Sequence, residues 1–425
     1  HPVAHSFPTR RSSDLVYYLI SFTVADFQEY NFFARVDGGA DSVFIQNFVY
    51  DHPAYLDQWQ SSIDRTGEMM QLYSEKLGTY PFIREKYGHS LMERGGGMEH
   101  QTLTTLHDFN FLLVAHELTH QWFGDYLTCG SWQDIWINEG FASYGEYIAL
   151  ENLSADVTPR EWMDQAHLYA MQKPRGRVYI PFADAFNESR IFDFSLSYKK
   201  GAALIHMIRY LVDDDQLFYR VLRDFLAAYK NDVATGEDFK AFLNLHTGID
   251  FTSFFDQWYY GQGFPTYNLS WDQQNDSLTL MLEQSTSGED PEWFSIPVEV
   301  QLNLKNQKDT LLRLKPDSQQ TLFKFYFTGQ VQSVNLDPRN WILNAPGKVT
   351  QTAELPQSKL KINIYPNPVR EQLNLHLENP SFQGIKTVVV RNIGGKVEIR
   401  QDFHKKHHLI NTQNLAPGVY IIEVR

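Results

Sequence analysis

Four residues of this 425-residue chain have the types and the spacing to hold a metal ion and to hydrolyse a bond with it. His116 and His120 flank the segment HELTH, and on a helix this spacing puts both imidazoles on one face, one turn apart. Zinc suits neutral imidazole ligands in tetrahedral geometry, and a hydrolytic zinc site keeps one position open for water, so one further protein ligand is needed. Glu139, with 18 residues between it and His120, can supply it. Glu117, beside the first ligand, is the candidate general base: it takes a proton from the attacking water and passes it to the leaving group. The expected cofactor is one zinc ion. The bland alternative for HELTH is an amphipathic helix with surface histidines.

These side chains converge only if particular elements carry them. Residues 110–124 read as one helix, with Asn110 as a start cap, the apolar stretch FLLVA and the terminating Gly124. Residues 136–148 read as a second helix whose return past the first brings Glu139 to the metal. Helical signals run from Leu56–Leu77 to about Phe264, and Thr158, Pro159 and Glu161 form a start signal of cap, first-turn proline and acid. Ahead of them, from Val16 to Tyr50, aromatic and β-branched blocks read as strands. Past GQGFP (Gly261–Pro265) the pattern becomes alternating, as in SLTLML and VEVQLNL, which predicts a β-rich domain over 266–347. A polar link, 348–359, precedes a last alternating segment, 360–425, that reads as a small β-sandwich. No internal repeat or low-complexity tract is present. The cluster HKKHH (His404–His408) reads as a solvated strand end rather than a metal site, and His206 as a buried, hydrogen-bonded histidine.

Composition narrows the function classes. Hydrophobic residues at 43% and charged residues at 21% describe a globular chain, and its length predicts two to four domains. A formal charge of -14 leaves no basic footprint, so nucleic acid and anionic lipid are not expected partners. Cys129 is the single cysteine, which excludes an internal disulfide and any CxxC site. No run of about 18 apolar residues occurs, so no transmembrane segment is expected. The opening residues 1–15, HPVAHSFPTRRSSDL, contain SFPTRRSSDL, which resembles the in-frame translation of a sequencing adapter. Native sequence is therefore expected to start near Val16, with a signal peptide and most of a first domain missing.

Taken together, HELTHQWFGD and WINEGFASYGE resemble the zinc aminopeptidase family that includes aminopeptidase N and leukotriene hydrolase, over about Val16–Pro265. The resemblance implies a multidomain α+β fold: a mainly helical, thermolysin-like catalytic domain over 53–265, preceded by the remnant of a β-domain at 16–52 and followed by two β-sandwich-like domains. GGGMEH (Gly95–His100) resembles the family's GAMEN motif. By that resemblance Gly96, Gly97 and Met98 run beside the peptide and Glu99 binds its free α-amine, which implies peptide substrates with a free N-terminus. The family's Asn after the Glu is His100 here, and its ring nitrogen is expected to hold the loop by a hydrogen bond. SYKKGA (Ser197–Ala202) matches the family's YxKGA, which implies that Tyr198 donates to the oxyanion of the tetrahedral intermediate. Asp125 and Asn138 are candidates to orient the metal ligands.

The last 65 or so residues resemble the C-terminal sorting domain of the type IX secretion system, on YPNP (Tyr365–Pro368), VRNIGGK (Val390–Lys396) and LAPGVYIIEV (Leu415–Val424). This implies the secretion machinery as a partner and a secreted or surface-attached protein. Two other functions stay open at this point: a zinc hydrolase acting on another bond, such as an epoxide or an internal peptide bond, and a catalytically inactive surface binding protein.

Overall fold

The computed structural model describes residues 3–5, 21–36, 41–52, 54–352, 355, 362–377, 386–403 and 407–424. Most of the adapter-like segment, the start of VYYLISF, half of the polar link and His404–Lys406 of the histidine cluster lie outside the described residues. The chain is a mixed α+β protein with an N-terminal sheet, a helical middle and C-terminal sheets. It divides into two compact units, one holding 1–265 with 286–292 and 340–345, the other holding 266–285, 293–339 and 346–425.

In the first unit a short pair, β1 (Val3–His5) with β2 (Phe22–Val24), precedes a five-stranded sheet. That sheet is built from β3 (Phe27–Arg35), β4 (Ser42–Tyr50), β5 (Lys86–Leu91), β6 (Gly97–Met98) and β7 (Thr104–Leu106), in the order β3-β4-β5-β7-β6. β4, β5 and β7 are parallel, while β3 and β6 are antiparallel edges. β3 and β4, which sequence texture sets apart from the helical region, are thus joined to it by the β4–β5 pairing. Helix α1 (Tyr55–Leu77) crosses between them and buries Ile63, Met69, Met70 and Leu72.

Tyr73 of α1 reaches two helices at once, its hydroxyl lying 2.9 Å from the Gly145 carbonyl and 3.3 Å from that of Ala115. Those helices are α2 (Phe111–Thr119) and α3 (Trp136–Asn152). Asn110 caps α2 as its sequence predicts, its side chain accepting from Leu112 N at 3.0 Å. α2 stops at Thr119 rather than running on toward Gly124: the next residues tighten into turns, with Gln121 N bonding the Leu118 carbonyl and Trp122 N that of Thr119, and Gly124 adopts a positive φ of 139°. The turn delivers Phe123 onto Phe141 of α3, with rings stacked 4.1 Å apart and both buried. Beyond α3 come α4 (Pro159–Met171), which starts on the predicted Thr158/Glu161 capping box, a one-turn α5 (Glu188–Ile191) and α6 (Gly201–Val212), which packs on α3.

The second unit is β-structure. Strands Pro265–Gln274, Ser277–Thr286, Gln320–Tyr326 and Val349–Gln351 form one sheet, and Val298–Leu304, Thr310–Leu314 and Val331–Leu336 another. Two further three-stranded sheets lie in 362–424, and Leu373, Leu375, Val388, Val390, Phe403 and Ile410 from both make one buried apolar cluster. Alternation is what lets these strands bury one face: in Ser277–Thr286 it is Leu278, Leu280 and Leu282 that turn inward. His407 opens a strand and is exposed, as expected for a strand end. No helix among the described residues is long and apolar enough to cross a membrane.

The Phe123–Phe141 stack ties the turn that follows α2 to α3, the helix that carries Glu139. Phe141→Ala is expected to cost about 3–5 kcal/mol of stability, the range for an emptied buried aromatic site. Chemical denaturation of the two proteins measures it, and a loss under about 1 kcal/mol would remove this stack as the link.

Candidate metal centre

α2 presents His116 and Glu117 and ends on His120, while the first turn of α3 presents Glu139. Nε2 of His116 and Nε2 of His120 are 3.2 Å apart, and each lies 3.4 Å from Oε2 of Glu139. Donors arranged tetrahedrally around zinc at its usual ~2.0–2.1 Å bonds stand roughly 3.3–3.4 Å from one another, so this triangle has the size of one face of a zinc site. All three residues are buried or nearly so.

The other ring nitrogens fix the imidazoles. His120 Nδ1 is 3.0 Å from the Phe123 carbonyl and His116 Nδ1 is 2.9 Å from Glu146 Oε1. A carbonyl or carboxylate oxygen can only accept, so both Nδ1 atoms donate and both Nε2 lone pairs face the candidate site. Burial works against charge on His116, yet its hydrogen bonds to the Glu139 and Glu146 carboxylates hold its pKa up at about 9. Burial likewise opposes the Glu139 carboxylate, and the two histidines pull it down to about 2. The cage is built to be filled by positive charge.

Glu117 sits beside this triangle, and burial pushes its carboxyl up to about 8 against the pull of His116 and His120. One oxygen, Oε2, has no protein partner among the described residues. Its neighbour across the cleft is the edge strand β6, where a methyl on Gly97 would fall on the Glu117 carboxylate, so only glycine fits. The next residues of β6 lead to Glu99, which is buried and has a carboxylate oxygen within 4.8 Å of ligand atoms of Glu117 and His120. Gly96, Gly97, Met98 and Glu99 together form one wall of a cavity of about 570 Å³.

Tyr198 closes the opposite wall, on a wide helical turn (Phe194–Lys200) that Asp193 caps. Its ring stacks on His116 at 5.8 Å. Burial first, then Glu139, Glu99 and Glu117, raise its phenol pKa, so it remains a hydrogen-bond donor. This placement depends on two glycines: a Cβ on Gly201, just past the turn, would stand 3.0 Å from the Gly140 Cα of α3. The backbones meet where NEG and KKGA each supply a glycine.

Sequence reasoning places His116, Glu117, His120, Glu139, Glu99 and Tyr198 around one cavity, and all six line it. The contacts to the imidazole Nδ1 atoms come from Glu146 and the Phe123 carbonyl, two groups that sequence reasoning did not single out. Asn138 accepts from Cys129 N at 3.0 Å, and Asp125 is a buried acid whose pKa burial drives well up. Glu146 follows Glu139 by two helical turns on the same face of α3, a periodicity that could have revealed it. His206 is buried, 3.3 Å from the Tyr144 hydroxyl and stacked on Trp341.

A helix-borne pair of imidazoles, a carboxylate from the next helix and a buried acid beside them define a mononuclear metallohydrolase-type centre. The comparisons agree. Residues 62–258 match the profile of the Peptidase family M1 domain, and residues 363–425 that of the Secretion system C-terminal sorting domain. Aminopeptidase N of Lactococcus lactis subsp. lactis is 30% identical over 184 residues, 42% of this chain and 21% of that protein. Aminopeptidase N of Oryctolagus cuniculus is 25% identical over 387 residues, 76% of this chain and 38% of that protein. Endoplasmic reticulum aminopeptidase 1 of Mus musculus is 24% identical over 242 residues, 52% and 25% of the two chains. This chain is thus similar to peptidase M1 domains over residues 62–258 and to type IX secretion C-terminal sorting domains over 363–425. It spans well under half the length of each of these relatives. The sorting domain implies export, to the cell surface or beyond it.

His100, where the family motif has Asn, is 2.8 Å from Thr105 Oγ1 and 3.2 Å from Ser21 Oγ, so its ring pins the loop as expected. Burial lowers its pKa to about 4. Because the unfolded ring binds its proton near pH 6.5, this group lowers stability as pH falls from about 6.5 toward 4. NMR of ring-labelled protein should show no titration of His100 between about pH 5.5 and 8. A midpoint above about 6 would mean that the ring is not buried as described.

Proposed function

We propose that the protein is a zinc aminopeptidase that removes single residues from the free N-terminus of peptides. The observation that carries this is the position of Glu99: a buried carboxylate within 4.8 Å of ligand atoms of both Glu117 and His120. A carboxylate so close to the reacting centre has room for one residue between an α-ammonium group and the scissile bond, which favours exopeptidase cleavage.

His116, His120 and Glu139 would hold the zinc ion, which when bound would supply a Lewis acid for the scissile carbonyl and for water. Glu117 accepts the proton of the attacking water and returns it to the leaving amine, a role suited to a carboxyl whose pKa is near neutrality. Tyr198 donates a hydrogen bond to the carbonyl oxygen as charge gathers on it. The edge strand β6 lies alongside the substrate and Glu99 fixes its amine. The domain reading goes with this function: a thermolysin-like domain over 53–265, then β-sandwich-like domains over 266–347 and 360–425 joined by 348–359, with the pairing of the two last sheets around one apolar cluster as support. The secretion machinery is the expected partner of the last domain.

Metal analysis should find one zinc per chain, absent after His116 and His120 are both replaced by Ala; zinc retained in that variant would sink the assignment. Glu117→Ala should keep the metal and lose nearly all turnover, and Tyr198→Phe should lower kcat by roughly 100-fold with a smaller effect on KM. N-acetylated peptides should resist cleavage that their free counterparts undergo. Equal rates on both would replace the exopeptidase reading with an endopeptidase one.

A further inference from the structure

Behind the candidate metal site lies a buried cluster that the mechanism above does not use. Glu146 has only 8% of its side chain exposed, and three groups contact its carboxylate. His116 Nδ1 is 2.9 Å from Oε1, Trp162 Nε1 donates to Oε2 at 2.7 Å, and Lys199 Nζ lies 3.1 and 3.0 Å from the two oxygens. Lys199 is equally buried, and its ammonium faces the rings of Trp162 at 4.5 Å and Phe194 at 5.1 Å. Its neighbour in the chain is Tyr198, whose ring stacks on His116. Within YxKGA, Lys199 falls on the unspecified position.

We propose that Lys199 is a positioning residue that couples the metal ligand His116 to Tyr198 through Glu146. The two ends of the coupling are physically distinct. At one end the ammonium contacts both carboxylate oxygens, leaving Glu146 one orientation in which it accepts from His116 Nδ1 and turns Nε2 toward the metal. At the other end the same ion pair anchors the turn Phe194–Lys200 to α3, which sets the distance between the Tyr198 hydroxyl and the metal. A buried carboxylate stripped of the Lys199 ammonium would keep the His116 and Trp162 donors and lose that constraint. Trp162 and Phe194 add cation–π contacts to the ammonium.

The turnover arm of the test rests on the aminopeptidase reading; the metal arm does not. Wild-type chain, Lys199→Met, Lys199→Arg, Glu146→Gln and the Lys199→Met/Glu146→Gln double variant are compared. Zinc affinity is measured by competition with a chelator, and kcat and KM on a free-amine aminoacyl amide at saturating zinc. Lys199→Met and Glu146→Gln should each weaken zinc binding by about 10–100-fold, the range for lost partners of metal-bound histidines. The double variant should be little worse than either single one, because both break one chain of contacts. Lys199→Met should also lower kcat more than it raises KM once zinc is saturating, and Lys199→Arg should recover much of both losses, since a guanidinium keeps the charge and a paired donor. Unchanged zinc affinity in Lys199→Met overturns the proposal, as do strictly additive losses in the double variant or losses that Arg does not recover. If Lys199→Met does not fold, Lys199→Arg and Glu146→Gln decide: wild-type zinc affinity in Glu146→Gln overturns it. Absence of turnover in the wild-type chain on every peptide would instead overturn the aminopeptidase reading, with the affinity arm still deciding the role of Lys199.

Discussion

Two imidazole nitrogens and a carboxylate oxygen, all turned inward and 3.2–3.4 Å apart, form an arrangement that an apolar interior does not tolerate unless positive charge sits among them. Glu117 and Glu99 crowd further acid into the same space. Each of these carboxyls is buried, and burial alone would drive them all to the neutral acid. Glu139 escapes because both imidazoles hydrogen-bond to it as well as attract it, while Glu117, which the same two rings attract only through space, does not escape fully and stays near neutrality. One set of contacts thereby separates a ligand from a proton carrier, although both are glutamates of almost equal burial.

The scaffold around this charge cluster is rigid at the points where displacement would matter. The turn after α2 is held to α3 by the Phe123–Phe141 stack, and the Tyr73 hydroxyl reaches both helices. The Tyr198 turn cannot drift from α3 because Gly140 and Gly201 bring backbone against backbone. The edge strand β6 is pinned through His100 to Thr105 on β7, which keeps Glu99 facing the ligands. Each wall of the cavity thus comes from a different part of the chain, and each is tied to the next by a contact that a one-methylene change would strain.

The second unit bears none of the candidate site residues, and its last part matches a sorting domain. Chemistry and address are therefore carried by different stretches of the chain, with different physics. The first depends on buried polar groups held to fractions of an ångström. The second depends on alternating strands with one apolar face each, a pattern that tolerates many substitutions as long as the alternation survives.

What the sequence alone determined was whatever depends on spacing within one helix or on a signal in consecutive residues. The phase of HELTH puts His116 and His120 on one face, Asn110 and Thr158 mark helix starts, and alternation marks the later strands. Glu139 was reachable because it begins the next helix. Glu146, two turns past Glu139 on the same face of α3, could be read by the same periodicity, but its partners could not, since His116 and Lys199 stand 30 and 53 residues from it and no periodicity links α3 to the turn before α6. The end of α2 at Thr119 was hidden as well: the chain turns before Gly124, and the Phe123 carbonyl takes the ring of His120. Nor does the strand texture of residues 27–50 say that β4 will pair in parallel with β5, because register between distant strands is set by which faces must be buried together. Local periodicity fixes which side chains an element can present, and only tertiary packing, by excluding water from the groups that meet, decides their partners and their charge.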